Sequence, residues 1–476
     1  MTLNLAMPGN PRTQPKDLRE FFGYDNIVPS YVQVQLASMH TLCEFGIIPV
    51  ADMALLTLDV KQKLLELTTT KNDAIERSIT QHDIRAVVHQ IQEIVPEPLR
   101  RWVHVPMTSY DVIDTGRAYQ YTRAHNMVVQ PKLLPVLKLL CDHAETHRNT
   151  VQIGRTHGQH ALPITFGFWI ATIMNRLLYN MQAADGYANN LVGKIAGAVG
   201  AYNAQKGLGI LECGGVRFEN AVLARLGLKP ADISTQIVPP EPLAYYLHSI
   251  LMLSGAFGQF GRDGRNLMRT EIAELSEPFE TGQVGSSTMA HKRNPINFEN
   301  IEGTYFKNVG EFVKVMMTVI SEHQRDLVGS TISRDFPTIV VNAVSQMDTL
   351  MRPNKAGVPF LARVKVNVDA CRRNLEYSGD TILAEPLYLA LQMHGYRGDA
   401  HKLINERAMK LIRPGVSLVS AVEELTLEDA ELAAAWQQIP GEMHAMFYSP
   451  ATYIGTAAEQ VDAVCKRATV YATSFS

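Results

Sequence analysis

The stretch LAYYLHSILMLSGAFGQFGRDGRNLMRTEIAELSE, residues 243–277, runs for 35 residues without a proline between Pro242 and Pro278. Within it Tyr246, Ile250, Leu253, Phe257, Phe260 and Leu267 recur by steps of four and three, with Gly264 at the intervening position. Residues so spaced share one face of a helix, and a helix of this length would be roughly 50 Å long. One helix cannot bury such a stripe alone, so partner helices are required. Two further proline-free spans, from Ile164 beyond Gly200 and from Ile296 to Asp335, supply them. Gly255, Gly258, Gly261 and Gly264 each weaken a helix, and are tolerable where a neighbouring helix approaches closely.

Outward from this stretch the pattern stays helical. The first hundred or so residues hold shorter helical repeats, for example Tyr31–Phe45, ended by Gly46 and Pro49. Strand-like alternation is scarce. The passage RPNKAGVPF, residues 352–360, reads as a boundary before a smaller helical region. A chain of 476 residues is too long for one simple core. The expectation is an all-α fold of three helical domains, spanning 1–108, 109–362 (the long-helix bundle) and 363–476.

Composition removes several function classes. Apolar residues make up 46% and charged residues 19%, ordinary for a globular protein, and the net charge is −3. No global basic field draws the chain to nucleic acid or membrane, so any anion must be held by local residues. The five cysteines are scattered singly with no CxxC, which points to reduced thiols rather than a disulfide frame or zinc site. No basic start followed by an apolar core opens the chain, and no run of about 18 apolar residues could span a bilayer. The expected location is the cytoplasm, with no metal and no cofactor.

Three segments carry chemistry-bearing residues. The first, TSYDVIDT (108–115), is preceded by His104; Thr108 and Ser109 offer hydroxyls to a carboxylate or phosphate, yet a Ser/Thr followed by Asp also suits a plain helix cap. The second, GRTHGQHALPITFG (154–167), sets His157 between glycines and beside Arg155, a poor composition for a core. His157 and His160 lack a third ligand at helical spacing, so a metal is discounted. The third, GSSTMAHKRNPINFENIEG (285–303), gathers glycines, hydroxyls, a cation and a carboxamide, suited to a lid over an anionic substrate as well as to a solvated loop.

Taken together these segments resemble the three signature regions of the fumarase/aspartase superfamily, whose members cleave C–N or C–O bonds and release fumarate. Within it the chain is most similar to the adenylosuccinate lyase family, through QHD (Gln81, His82, Asp83), TSYDVIDT, GRTHG, the STQ of Ser234–Gln236, KRN (Lys292, Arg293, Asn294) and QRDLVGSTISR (324–334). The resemblance implies acid–base elimination from a succinylated purine nucleotide by a homotetramer whose active sites are shared between subunits. It assigns His157 as general acid and Ser286 as general base. Lys292 and Asn294, with Thr108 and Ser109, would hold the carboxylate where charge develops. Ser287, Arg293, Asn300, Gln236, Gln81, Asp83 and Arg12 would bind substrate, and His82 would orient His157 or a phosphate. His104 and Glu299 would support, Glu299 by holding His157. Arg325, Ser330, Thr331, Ile332, Ser333 and Arg334 would receive the phosphate; read without the resemblance, that run is a solvated helix end.

The sequence departs from the family pattern at three places. Ala290 stands where the loop normally has proline, Pro106 replaces a glycine, and Arg12 is followed by Thr13. Carboxymuconate cycloisomerases share the TSxDVxDT and loop patterns but give no reason for QHD and STQ, and rank second. A catalytically retired structural homologue is a further alternative, disfavoured because Ser286, His157, Lys292 and Glu299 are all present.

Overall fold

A computed structural model describes residues 3–279, 288–289 and 291–475. The described residues are mainly helical, and their strands pair only in two-stranded pieces. Two compact units emerge, one of residues 1–135, 176–259 and 300–351, the other of 136–175, 260–299 and 352–476. No described helix is long and apolar enough to cross a membrane.

In the first unit the helix Ile27–Glu44 starts earlier than the pattern suggested, with Pro29 in its first turn. It ends just before Gly46, whose φ of 72° L side chains rarely adopt. It packs on Ser109–Ala124, where Gly116 approaches the Tyr31 ring so closely that a Cβ would lie 2.8 Å from it. The core is aromatic, with Tyr121 between Phe22 and Tyr246 at centroid distances of 5.0 and 6.0 Å.

The long stripe forms a helix, Glu241–Leu267, with Tyr246, Ile250, Leu253, Phe257 and Phe260 all buried. In the first unit its glycines do what close approach requires: Cβ atoms at Gly255 and Gly258 would meet the Tyr305 ring at 3.2 and 3.0 Å. Tyr305 belongs to the helix Ile296–Met317. A third helix, Pro337–Leu350, is fastened by the buried Gln346, whose amide donates to the carbonyls of Ser254 and Ile301 at 3.2 and 2.8 Å.

The helix is shorter than the proline-free span. Its 27 residues give about 40 Å, not 50. Beyond Leu267 the chain turns through Ala273 at φ 53°, and Leu275–Ser276 pairs with Lys365–Val366. Glu274, fully buried, is drawn into an ion pair with Arg155, which a continuing helix could not satisfy.

In the second unit the strands Val151–Thr156 and Gln159–Thr165 form an antiparallel hairpin. Towards the C-terminus, Leu387, Leu391, Ile404, Leu418, Val422 and Phe447 form a separate apolar core. The helix Ala457–Thr473 closes the unit.

Candidate active site

His157 occupies the tip of that hairpin. Thr156 pairs with Gln159, leaving His157 and Gly158 as a two-residue turn with φ of 54° and 77°. Both values are positive, as the hairpin turns that match strand twist require, and X-Gly is the usual sequence for them. The imidazole is therefore exposed on a short rigid arm. The arm's base is clamped, since Glu274 accepts from Arg155 at 2.7 and 3.1 Å, Gln152 at 2.6 Å and Asn374 at 2.7 Å. His160 is committed elsewhere, with Nδ1 2.7 Å from Ser378 Oγ. Burial lowers its pKa, and the nearby Arg155 charge adds to this.

The signature loop is described in part. Ser286, Ser287 and Ala290 lie outside the described residues. Lys292 and Arg293 are exposed, the Arg293 guanidinium resting 4.5 Å over the Phe279 ring, and Asn294 is half-buried. The loop leads into the helix Ile296–Met317, whose first turn carries Glu299, exposed, followed by Asn300. That helix start is capped by a residue the sequence reading missed. Glu277 accepts from the backbone N–H of Asn297 and Phe298 at 2.8 and 2.9 Å and from the Asn297 amide at 2.6 Å. A carboxylate there also complements the helix dipole. Burial raises the Glu277 pKa, and these three hydrogen bonds oppose the rise.

In the first unit, TSYDVIDT is both a cap and a fastening. The Asp111 carboxylate accepts from the Thr108 N–H at 2.7 Å, so the plain capping reading holds for this pair. Its other oxygen accepts from the Lys194 ammonium and from the N–H groups of Ala196 and Gly197, the last two at 3.0 and 3.2 Å. Asp111 and Lys194 are both fully buried. Thr108 and Ser109, half-buried, thus sit on a fixed helix end. The chain from Gly197 continues to Gly200, which packs so tightly on Ser234 that a Cβ would lie 2.0 Å from the Ser234 carbonyl oxygen. Gln236, next along STQ, is half-buried, with its N–H on the Gln324 carbonyl at 3.3 Å.

QHD forms the turn before the helix Asp83–Ile94. Gln81 has φ 53°, and His82 is the N-cap, its Nδ1 accepting from the Arg85 N–H at 3.4 Å. His104 Nδ1 lies 3.0 Å from the Gln35 amide nitrogen, and burial lowers its pKa to about 4 although the Asp111 charge opposes this. Pro106 follows a cis peptide bond from Val105. Arg12 is exposed in a short turn, Pro11–Thr13.

The expected phosphate cluster divides in two. Arg325 donates to Ser330 Oγ at 2.6 Å, and Ser330 Oγ is 2.8 Å from the Tyr110 hydroxyl. Ser333, one turn on, accepts from Arg117 at 3.2 Å. These groups line an open cleft of roughly 910 Å³, solvent included, shared with Asp114 and the apolar Val238, Pro240, Leu243 and Val315. Burial raises the Asp114 pKa, and the Arg117 charge counteracts it. Thr331 and Arg334 are exposed, and Ile332 lies half-buried between them. Tyr110, Arg117 and Asp114 were missed as cleft residues; only the three-residue step from Asp114 to Arg117 on one helix signalled that both face one way.

Comparison with known proteins follows the same lines. The family described as Lyase matches residues 41–310. The chain is 32% identical over 468 residues to an adenylosuccinate lyase of Archaeoglobus fulgidus, covering 97% of this chain and 98% of that one. It is 32% identical over 462 residues to that of Pyrococcus abyssi, covering 96% of each. Among solved structures, it resembles a 3-carboxy-cis,cis-muconate lactonizing enzyme from Pseudomonas putida with a TM-score of 0.76 at 23% identity, covering 97% of this chain and 98% of that one. A fumarate lyase from a Mesorhizobium species gives 0.75 at 22%, covering 96% and 100%. At these identities the structural likeness establishes the fold and no activity.

Proposed function

The chain belongs to the lyase family, among the adenylosuccinate lyases, and from that premise we propose that it eliminates fumarate from adenylosuccinate, leaving AMP. We propose the same step on succinylaminoimidazole carboxamide ribotide in purine biosynthesis. The observation that carries this reading is the end-to-end similarity to adenylosuccinate lyases, which leaves neither chain with an unmatched domain.

The chemistry assigned to these residues is acid–base elimination without a cofactor. Removing a proton beside a carboxylate creates a dianion, which fixed donors must stabilise. Lys292 and Asn294 take that role, with Thr108 and Ser109 on the succinyl end. Ser286 is the base, and Ser287 binds substrate beside it. The leaving nitrogen needs a proton, and His157, presented on its clamped hairpin, donates it, held by Glu299. Gln81, His82, Asp83, Gln236, Arg293, Asn300 and Arg12 complete the substrate site. Arg325, Ser330 and Ser333 receive the 5′-phosphate, with Thr331, Ile332 and Arg334 beside them.

The active form in this reading is a cytoplasmic homotetramer with each site drawn from several subunits. An exposed seam supports association. Phe306, Val309, Val313 and Met316 step by three and four along the helix Ile296–Met317 and are 41–56% exposed, the spacing of helices that pack side by side.

Incubation of the purified chain with adenylosuccinate should release fumarate and AMP in equal amounts. If stoichiometric protein leaves adenylosuccinate intact, the assignment is wrong.

A further inference from the structure

Far apart in sequence, Cys141 and Cys465 come together in the second unit. Cys141 lies on the helix Gln130–Thr146 and Cys465 near the middle of Ala457–Thr473. Cys465 Sγ is 3.9 Å from the Cys141 carbonyl oxygen, and Cys141 Sγ is 3.6 Å from Glu145 Oε1. The two sulfurs and one Glu145 carboxylate oxygen all lie within 4.8 Å of one another. Cys141 and Glu145 are four apart on one helix, so their side chains share a face.

We propose that Cys141, Glu145 and Cys465 form a binding site for a soft or borderline divalent cation, of which zinc is the type. Zinc–sulfur bonds of about 2.3 Å and zinc–oxygen bonds of about 2.0–2.2 Å put tetrahedral ligands roughly 3.5–3.8 Å apart. Rotation of the side chains by about 1 Å brings the three atoms to that spacing. Water takes the fourth position from the solvent side, where Glu145 is exposed and Cys141 half-exposed; Cys465, 3% exposed, forms the inner wall.

The electrostatics favour a cation. Asp142 and Asp462 add negative charge around the thiols. Each has its own surface partner, Lys138 at 3.0 Å for Asp142, and Arg148 at 2.6 and 2.7 Å for Asp462. Coordination releases the thiol protons to solvent. The scattered cysteine spacing hides this arrangement, because the two ligand helices are brought together only by folding. The site lies outside the elimination machinery, and its consequence is mechanical: it ties the C-terminal helix to 130–146.

The test uses the full chain, kept reduced with a phosphine, stripped with a chelator and titrated with cadmium chloride, whose thiolate complexes absorb in the ultraviolet. One cadmium per chain should bind with that absorption, and zinc chloride should raise Tm. Cys141→Ser and Cys465→Ser should each weaken binding by at least the ~100-fold that losing even an outer partner of a metal ligand can cost. Glu145→Gln should weaken it by about tenfold, and Cys43→Ser and Cys213→Ser should leave it unchanged. If Cys465→Ser disturbs folding, the half-exposed Cys141→Ser carries the result. A wild-type titration without saturable thiolate absorption, or absorption that survives Cys141→Ser, overturns the proposal.

Discussion

The Arg325 guanidinium lies 3.2 Å from the centre of the Tyr110 ring while donating to Ser330. The ring and the hydroxyl fix the guanidinium plane before any anion arrives. A preset fork recognises phosphate in two parallel bonds, which an ammonium on a flexible stem does not reproduce. Arg325→Lys should therefore weaken AMP binding by roughly 10- to 100-fold, from the 1.5–3 kcal/mol of a charge-assisted bond. Succinyladenosine, which lacks the phosphate, should respond little. Calorimetry with both ligands separates the cases, and equal losses would remove Arg325 from the phosphate site.

The Arg155–Glu274 pair should be a point of stability as well as of activity. Glu274 is fully buried and holds Arg155, Gln152 and Asn374 together. Glu274→Ala leaves a mostly buried guanidinium without its partner and should cost about 3–5 kcal/mol in urea denaturation. Arg155 forms the base of the His157 hairpin, so turnover should fall at urea concentrations where the variant is still folded.

His104 makes stability depend on pH. Its folded pKa of about 4 lies below the ordinary histidine value of 6.5, so the unfolded chain binds more protons between these values. Its contribution is present above pH 6.5 and is lost as pH falls through about 4. His104→Gln should flatten the urea midpoint across that window. A variant with the same slope as wild type would assign the acid sensitivity to other groups.

Glu277 should act through the helix it caps. Glu277→Ala strips the acceptor from two N–H groups and should cost about 1–2 kcal/mol, with Glu277→Gln in between. Because Glu299 lies in the first turn of that helix, kcat should fall more than binding weakens. An unchanged kcat in a destabilised variant would limit Glu277 to a structural role.

Shared sites can be tested by complementation. Ser286→Ala and His157→Gln should each abolish turnover, and subunit exchange between the two inactive proteins should restore part of it. Demonstrated exchange without recovery would mean that both residues come from one chain.

The sequence was legible where one periodicity governed. The stripe from Tyr246 to Phe260 is a buried helix face because its neighbours come from equally periodic segments. Its end was not legible, because what stops the helix near Leu267 is Glu274 turning to Arg155, 119 residues away. The hairpin carrying His157 escaped for another reason. His157-Gly158 is a two-residue turn signal, but Gly154, Arg155 and His160 break the alternation of its strands. Lys194 gave no signal at all: a lysine in a chain of glycines and alanines reads as surface, yet it is buried on Asp111. Of the phosphate cluster, the residue types were readable, while the split between Ser330 and Ser333 on one side and Thr331 and Arg334 on the other depends on how a six-residue helix is rolled.

Tyr305, seated against Gly255 and Gly258, works as a key in a slot. Sliding the helix Ile296–Met317 along its axis would move the ring off the two glycines it rests on. Close packing at that notch resists such a slide. Gly258→Ala, which places a Cβ 2.8 Å from that of Tyr305, would jam the slot and force the two helices apart.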